Sequence, residues 1–364
     1  MAGFNHRVLV EWNKDACATL RSNAQKDAVP GTIHWRVVES DIRYTSFSDE
    51  ESVDLLAGGP PCQPFSIGGK HGGTADSRNM IPQYVRVVRE LRPRALIFEN
   101  VKGLLRPGFR AYFDYLLLQL RHLDIEQSPG ESWSDHFQRL SSSRSPATYD
   151  LSWRLVNAAD YGVPQTRERV LAVGFRSDLS IEWEFPEPTH SREALLFEQL
   201  VSGAYWRRHG IAPSAPAPDN SVVTLGFMAD PEISGTRAWR TVRDALEGLP
   251  APSSNHDSGF ANHRLNPGAR AYAGHTGSHP DLPAKTLKAG DHGVPGGENM
   301  LAQGTGHVRY FTVREAARIQ TFPDSWVFSG TWSEAMRQLG NAVPVKLAET
   351  IAARVASALA QRNG

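Results

Sequence analysis

The chain has 364 residues, with 39 lysines and arginines balanced by 39 aspartates and glutamates, and 40% hydrophobic residues. This length predicts one large domain with a smaller one, and the zero formal charge excludes a globally basic nucleic-acid binder, so any such face has to be local. Two cysteines, Cys17 and Cys62, exclude a disulfide framework; with no run of about 18 apolar residues and no signal-like start, a reducing cytoplasm is the expected compartment.

In chain order, Val8-Leu9-Val10 reads as a strand closed by Glu11, and residues 15–23 read as a helix in which Cys17 is a small buried residue. An acid at the end of such a strand commonly takes ribose hydroxyls in dinucleotide-type folds, and Trp12 beside it offers a ring that can stack on adenine. Residues 53–57 form a second apolar run, which leads into Gly58-Gly59-Pro60-Pro61-Cys62-Gln63-Pro64-Phe65-Ser66. Glycines permit close approach of the backbone to a ligand, and prolines fix φ and remove donors. Such a loop presents one thiol rigidly, which is what covalent catalysis demands of a nucleophile.

Residues 77–91 place Ile81, Tyr84, Val85, Val88 and Leu91 on one face with a 3.6 period, and Pro93 stops that helix. Leu96-Ile97-Phe98 is a strand running into Glu99-Asn100-Val101, and residues 169–175 form another. Arg167 and Arg169 flank Glu168 at the start of this last strand and are read as facing opposite sides, one reaching the site and the other supporting it. Strands alternating with helices up to about residue 175 predict a parallel α/β sheet, with Cys62 and Glu99 just past strand carboxyl ends, where ligands bind.

Over residues 186–308 Pro, Gly, Ser and His rise and periodicity fades, while Trp206, Phe227, Trp239 and Tyr272 are spaced as anchors. This predicts a loop-rich second domain. Thr312-Val313-Arg314-Glu315 is a capping box opening a helix, with Arg314 and Arg318 read as scaffold, and Gly340-Asn341-Ala342-Val343-Pro344-Val345 follows near the end.

The Pro-Cys-Gln loop, Glu99-Asn100-Val101, Gln165-Thr166-Arg167-Glu168-Arg169, the helix around Arg314 and the Gly340-Asn341 string together, and in this order, resemble the DNA (cytosine-5)-methyltransferases of bacterial restriction-modification type. The resemblance implies an α/β, Rossmann-like S-adenosylmethionine-dependent methyltransferase domain with a smaller target-recognition domain. Residues 1–185 would be catalytic, 186–325 would recognise the target, and 326–364 would return to the catalytic domain. It implies Cys62 as the nucleophile toward carbon 6 of cytosine and Glu99 as the donor at ring nitrogen 3, provided burial raises its pKa. Arg169 would contact the cytosine O2, with Arg167 assisting the same pocket.

The cofactor would be S-adenosyl-L-methionine, held by Glu11, Trp12, Asp41, Ile42, Pro61, Ile81, Asn341 and Ala342. Asp41-Ile42 and Ile81 would lie near adenine, and Asn341-Ala342 near the methionine end. Asp41 as a plain turn residue and Ile81 as plain core stay open beside these roles. The partner would be double-stranded DNA in the bacterial cytoplasm, with the Gly-rich stretch 281–299 approaching phosphates and base edges.

The family's opening Asp-Leu-Phe-x-Gly-x-Gly segment finds no match, and Met1-Ala2-Gly3-Phe4 resembles the turn that follows it. The strand of that segment sits between those ending at Glu11 and Cys62. The expectation is therefore a sheet missing a central member, completed by roughly 25 to 30 residues in cis or by a small partner chain. Two other readings stay open. A tRNA-methylating branch carries a Cys-Phe-Thr string in its second domain, whereas no cysteine follows Cys62 here; the third is an inactive remnant that binds DNA or a partner.

Overall fold

In the computed structural model, residues 2–50, 52–61, 79–213, 235–254, 259–274, 276–289, 297–304 and 306–361 are described. Cys62 and Phe227 lie outside them.

Strand β1 (Val8–Glu11) runs parallel to β2 (Arg36–Glu39), in register from Val8↔Arg36 to Glu11↔Glu39, and helix α1 (Lys14–Gln25) is the crossover. Asn13 starts α1 by accepting the Ala16 N–H at 2.9 Å, and the fully buried Cys17 rests its Sγ 3.3 Å from the Glu11 carbonyl.

Strand β3 (Leu55–Gly58) is parallel to β4 (Ala95–Val101), and helix α2 (Ile81–Leu91) lies between them in sequence. Ile81, Tyr84, Val85 and Val88 are all buried, the stripe that the helical period requires. The helix stops at Arg92, which adopts a left-handed φ of 42° just before Pro93.

Strands β5 (Tyr149–Asn157) and β6 (Glu168–Arg176) complete a sheet of order β3-β4-β6-β5 in which β6 is antiparallel to both neighbours. The parallel pattern expected from sequence therefore fails at β6. The reason is the short link 158–167, which cannot hold the dozen or more residues a parallel crossover needs.

Both faces of this sheet are covered. Leu96, Phe98, Val170 and Ala172 pack against α2 and against α3 (Pro107–Arg121) and α4 (Trp133–Ser141). Alternate residues Ala95, Ile97, Leu171 and Val173 meet Leu347, Ile351, Val355 and Leu359, a four-residue repeat along the C-terminal helix α10 (Val345–Ala360). Among the described residues, β1 is hydrogen-bonded only to β2 and β3 only to β4, so the α/β frame comprises two sheets, each with an edge strand where the other begins in sequence.

From residue 190 onward the elements are short: β7 (His190–Ser191) beside β8 (Arg237–Ala238), α5 (Arg192–Leu196), α6 (Ala204–His209), α7 (Val242–Leu246), and the antiparallel β9 (Met300–Ala302) and β10 (Val308–Tyr310). Helices α8 (Val313–Ile319) and α9 (Trp332–Asn341) precede α10. The capping box forms as expected: Thr312 Oγ1 accepts from Glu315 N at 3.1 Å and Glu315 Oε2 accepts from Thr312 N at 2.8 Å. The wholly buried Arg314 donates to the carbonyls of Ala261, Pro323 and Trp326, a scaffold role. Leu20 and Trp35 from the N-terminal part join Phe311, Ala316, Trp326 and Leu339 in one apolar cluster, so the chain's two ends share a core.

Candidate active site

Glu99 emerges at the carboxyl end of β4, and Arg169 opens β6 opposite Val101. Their side chains meet: Arg169 Nε lies 2.8 Å from Glu99 Oε1, with only 11% and 14% of the two side chains exposed. Burial pushes the Glu99 carboxyl above its ordinary value, against the pull of Arg169 and then Arg167. The same burial lowers Arg169.

The loop leaving β3 is fastened over this pair. A Cβ on Gly59 would lie 2.8 Å from Glu99 Oε2, so only glycine leaves the carboxyl group its place. Asn100 Nδ2 donates to the Pro60 carbonyl at 3.1 Å, while Asn100 Oδ1 accepts from Val101 N at 2.9 Å. Met80 N lies 3.4 Å from the Pro61 carbonyl. The chain is thus anchored on Glu99-Asn100 up to the residue before Cys62, and Pro61 itself is exposed.

Arg167 points elsewhere. Its Nη1 donates to the Leu287 carbonyl at 3.0 Å, and its Nη2 to those of Gly340 at 2.6 Å and Ala342 at 3.0 Å. The side chain is 1% exposed and Nε has no partner. Burial first, and Arg169 second, lower its pKa to about 9 despite Glu99. Its polar contacts are all with backbone carbonyls, so the structure joins Arg169, and not Arg167, to Glu99.

Around Arg167, residues 284–287 run alongside 164–166. Ala284 N donates to the Pro164 carbonyl and Thr166 N to the Ala284 carbonyl, each at 2.9 Å. Leu287 N reaches the buried Gln165 Oε1 at 3.0 Å, and Thr286 Oγ1 the Thr166 carbonyl at 2.6 Å. A Cβ on Gly340 would collide with the Ala289 backbone, so the end of α9 is packed onto the same segment. Sequence reasoning missed Gly59, Asn100 and Gln165, although each stands inside a string that it singled out for a neighbouring residue.

The remaining predicted positions divide between the two sheets. Glu11 Oε1 accepts from Asn13 N at 2.7 Å, and Trp12 is 71% exposed. Asp41 caps the turn Ile42–Tyr44 and is ion-paired with Arg43 at 2.6 Å, whose hydrogen bonds hold its carboxyl below the ordinary range. Ile81 has no exposed surface and belongs to the core of the larger sheet. Asn341 ends α9 and is exposed, while Ala342 serves Arg167 through its carbonyl. The Gly-rich stretch 281–299 is described only outside 290–296.

A family model for C-5 cytosine-specific DNA methylases matches residues 1–201 and 232–357. The type II methyltransferase M.NgoMIV of Neisseria gonorrhoeae is 30% identical over 374 residues, covering 100% of this chain and 93% of that protein. M.NaeI of Lentzea aerocolonigenes is 29% identical over 363 residues, 98% of this chain and 71% of its own. Among solved structures, a prophage-encoded DNA modification methyltransferase of E. coli superposes with a TM-score of 0.58 at 21% identity, covering 99% of this chain and 94% of its own. The S. pombe Dnmt2 methyltransferase does so at 0.53 and 16%, covering 97% and 91%. At these identities the structural likeness concerns the fold, whereas the family match spans nearly the whole sequence: this chain belongs to the C-5 cytosine-specific DNA methylases.

Proposed function

We propose that this chain is the modification enzyme of a type II restriction-modification system, methylating carbon 5 of a cytosine rotated out of double-stranded DNA through a covalent bond from Cys62 to carbon 6. The type II methyltransferases among its relatives support the biological setting. The chemistry rests on one observation: the Glu99 carboxyl is buried against Arg169, in contact with Gly59 of the Gly59-Pro60-Pro61 run that precedes Cys62 in the sequence.

The Cys62 thiolate adds to carbon 6 and makes carbon 5 nucleophilic. The negative charge this places on the ring is met by a proton from Glu99 at nitrogen 3, which its raised pKa allows it to carry. Arg169 supplies a fixed positive charge at the same place. Loss of the carbon 5 proton after methylation expels the thiol. S-adenosylmethionine supplies the electrophilic methyl group. The residues present fit it in part: Glu11 keeps Oε2 without a protein partner among the described residues, suiting ribose hydroxyls, and the exposed Trp12 ring suits adenine. Asp41, already paired with Arg43, and the sealed Ile81 shape that site only indirectly.

Residues 186–325 are proposed to read the DNA sequence. No helix among the described residues is long and apolar enough to cross a membrane, and we place the enzyme in the bacterial cytoplasm with its DNA. Duplex DNA carrying 5-fluorocytosine in the target should trap an adduct on Cys62, because fluorine cannot leave as a proton does. An adduct mapped by mass spectrometry to Cys17 would overturn the assignment, as would full turnover by Cys62→Ser.

Among the described residues β1 pairs only with β2 and β3 only with β4, which favours a second element of this reading. Exposed strand edges are templates for another strand. An extended segment bearing Phe-x-Gly-x-Gly, fused to the chain or added as a peptide of roughly 25 to 30 residues, one βα unit, should pair there and tighten S-adenosylmethionine binding. Calorimetry giving the same affinity with and without it would dismiss this arrangement.

A further inference from the structure

Among the described residues no ladder joins the sheet of β1 and β2 to the sheet of β3 to β6. Yet Glu11 and Trp12 stand at the end of the first, and Gly59, Glu99 and Arg169 at the end of the second. A tie between the two runs through α2, whose apolar face belongs to the core of the larger sheet. Arg86 Nη2 donates to the Ile42 carbonyl at 2.7 Å and to the Thr45 carbonyl at 3.2 Å. Glu90 Oε1 accepts from Phe47 N at 2.6 Å and from Ser46 Oγ at 3.1 Å.

The two side chains act as a unit. One helical turn apart, they are joined by Arg86 Nη1 and Glu90 Oε2 at 2.8 Å, and Gln83 Oε1 accepts from Arg86 Nε at 2.9 Å. The turn they grip is continuous with the smaller sheet. Ser40 N donates to the Glu11 carbonyl at 3.0 Å, and Thr45 Oγ1 to the Asp41 carbonyl at 3.1 Å. A shift of this turn along α2 would therefore carry Glu11 and Trp12 with it. Charge-assisted hydrogen bonds to backbone groups are short and directional, so they fix that distance more sharply than apolar packing does.

We infer that Arg86 and Glu90 are positioning residues for the methyl donor. They set the spacing between the adenosine end of its site, at Glu11 and Trp12, and the reacting end, at Glu99 and the Gly59-Pro60-Pro61 run. This rests on the S-adenosylmethionine reading above. Neither residue acts by touching the donor; each acts through the turn after β2. A molecule spanning both sheets gains from its two ends together only while the spacing is kept, so loosening the grip weakens binding more than the chemistry of a donor already bound.

The test is calorimetry of the full chain with S-adenosylhomocysteine, alone and with the Phe-x-Gly-x-Gly segment, beside steady-state methylation. Arg86→Met and Glu90→Ala should each raise the Kd, and the KM for the methyl donor, on the order of tenfold, with kcat at saturating donor changed far less. DNA affinity should stay as in wild type. Glu90→Gln keeps an acceptor for Phe47 N and should retain most of the donor affinity. Arg86→Lys should recover only part, since an ammonium cannot reproduce the guanidinium fork.

A lowered thermal midpoint with wild-type Kd and KM in both Arg86→Met and Glu90→Ala would reduce the contact to scaffold and overturn the inference. A loss confined to kcat would overturn it as well. In either case a wild-type chain that binds S-adenosylhomocysteine leaves the donor reading standing. A wild-type chain that binds none, with or without the added segment, would remove both.

Discussion

Arg169 Nε sits 2.8 Å from Glu99 Oε1 across the β4–β6 ladder, and the pair is nearly shut off from solvent. Burial works against both charges, while each charge supports the other. Removing one member of such a pair is worse than never having built it, because the survivor stays buried without compensation.

Arg169→Met should therefore raise the Glu99 pKa further and lose turnover by a factor on the order of 10² or more. Glu99→Gln, nearly isosteric, should lose a comparable factor in kcat with little change in DNA affinity. Single-turnover methylation across pH, with anisotropy for binding, separates the two. Arg169→Met with an unshifted pH profile would mean that the ion pair does not govern Glu99.

Gly59→Ala places a methyl group 2.8 Å from Glu99 Oε2, the far end of a side chain that can give way. The fold should survive with a loss of about 1 kcal/mol, within the range for modest overpacking. The displaced carboxyl should cost kcat roughly 10- to 100-fold, since about 1 Å of misplacement is worth up to 10². Thermal melting and kcat measured on the same preparation check both halves.

Arg167→Met deprives the Leu287, Gly340 and Ala342 carbonyls of their shared donor. With buried acceptors left unsatisfied, unfolding free energy should drop by about 3 kcal/mol. Urea denaturation measures it. Arg167→Lys should recover only part, because an ammonium cannot span three carbonyls as the planar guanidinium does.

His190, only 4% exposed, is kept neutral by that burial, its pKa depressed from 6.5 to about 4. The unfolded chain then binds more protons than the folded one between those values, so stability is full above pH 6.5 and declines as the pH falls toward 4. His190→Gln should lose less stability than wild type over that interval. Parallel pH dependences of the thermal midpoint in the two proteins would contradict the expectation.

Local patterns alone determined much of this protein. The apolar runs ending at Glu11 and Val101, the buried stripe Ile81-Tyr84-Val85-Val88, the Thr312–Glu315 capping box and the family strings all depend on residues a few positions apart, and each carries its own physical signature. Tertiary structure decided the rest. The reversal of β6, the carbonyl cage around Arg167, the run of 284–287 along 164–166 and the hold of Arg86 and Glu90 on the turn after β2 join segments far apart in the chain; Arg167 alone reaches partners 120 and 175 residues away. Two positions apart, Arg167 and Arg169 would share one face of a regular strand; they part because Arg167 lies before β6 begins, and which of the two would meet a carboxylate depended on which strand paired with β6. That choice was made by the burial of both sheet faces and by a link too short to cross over.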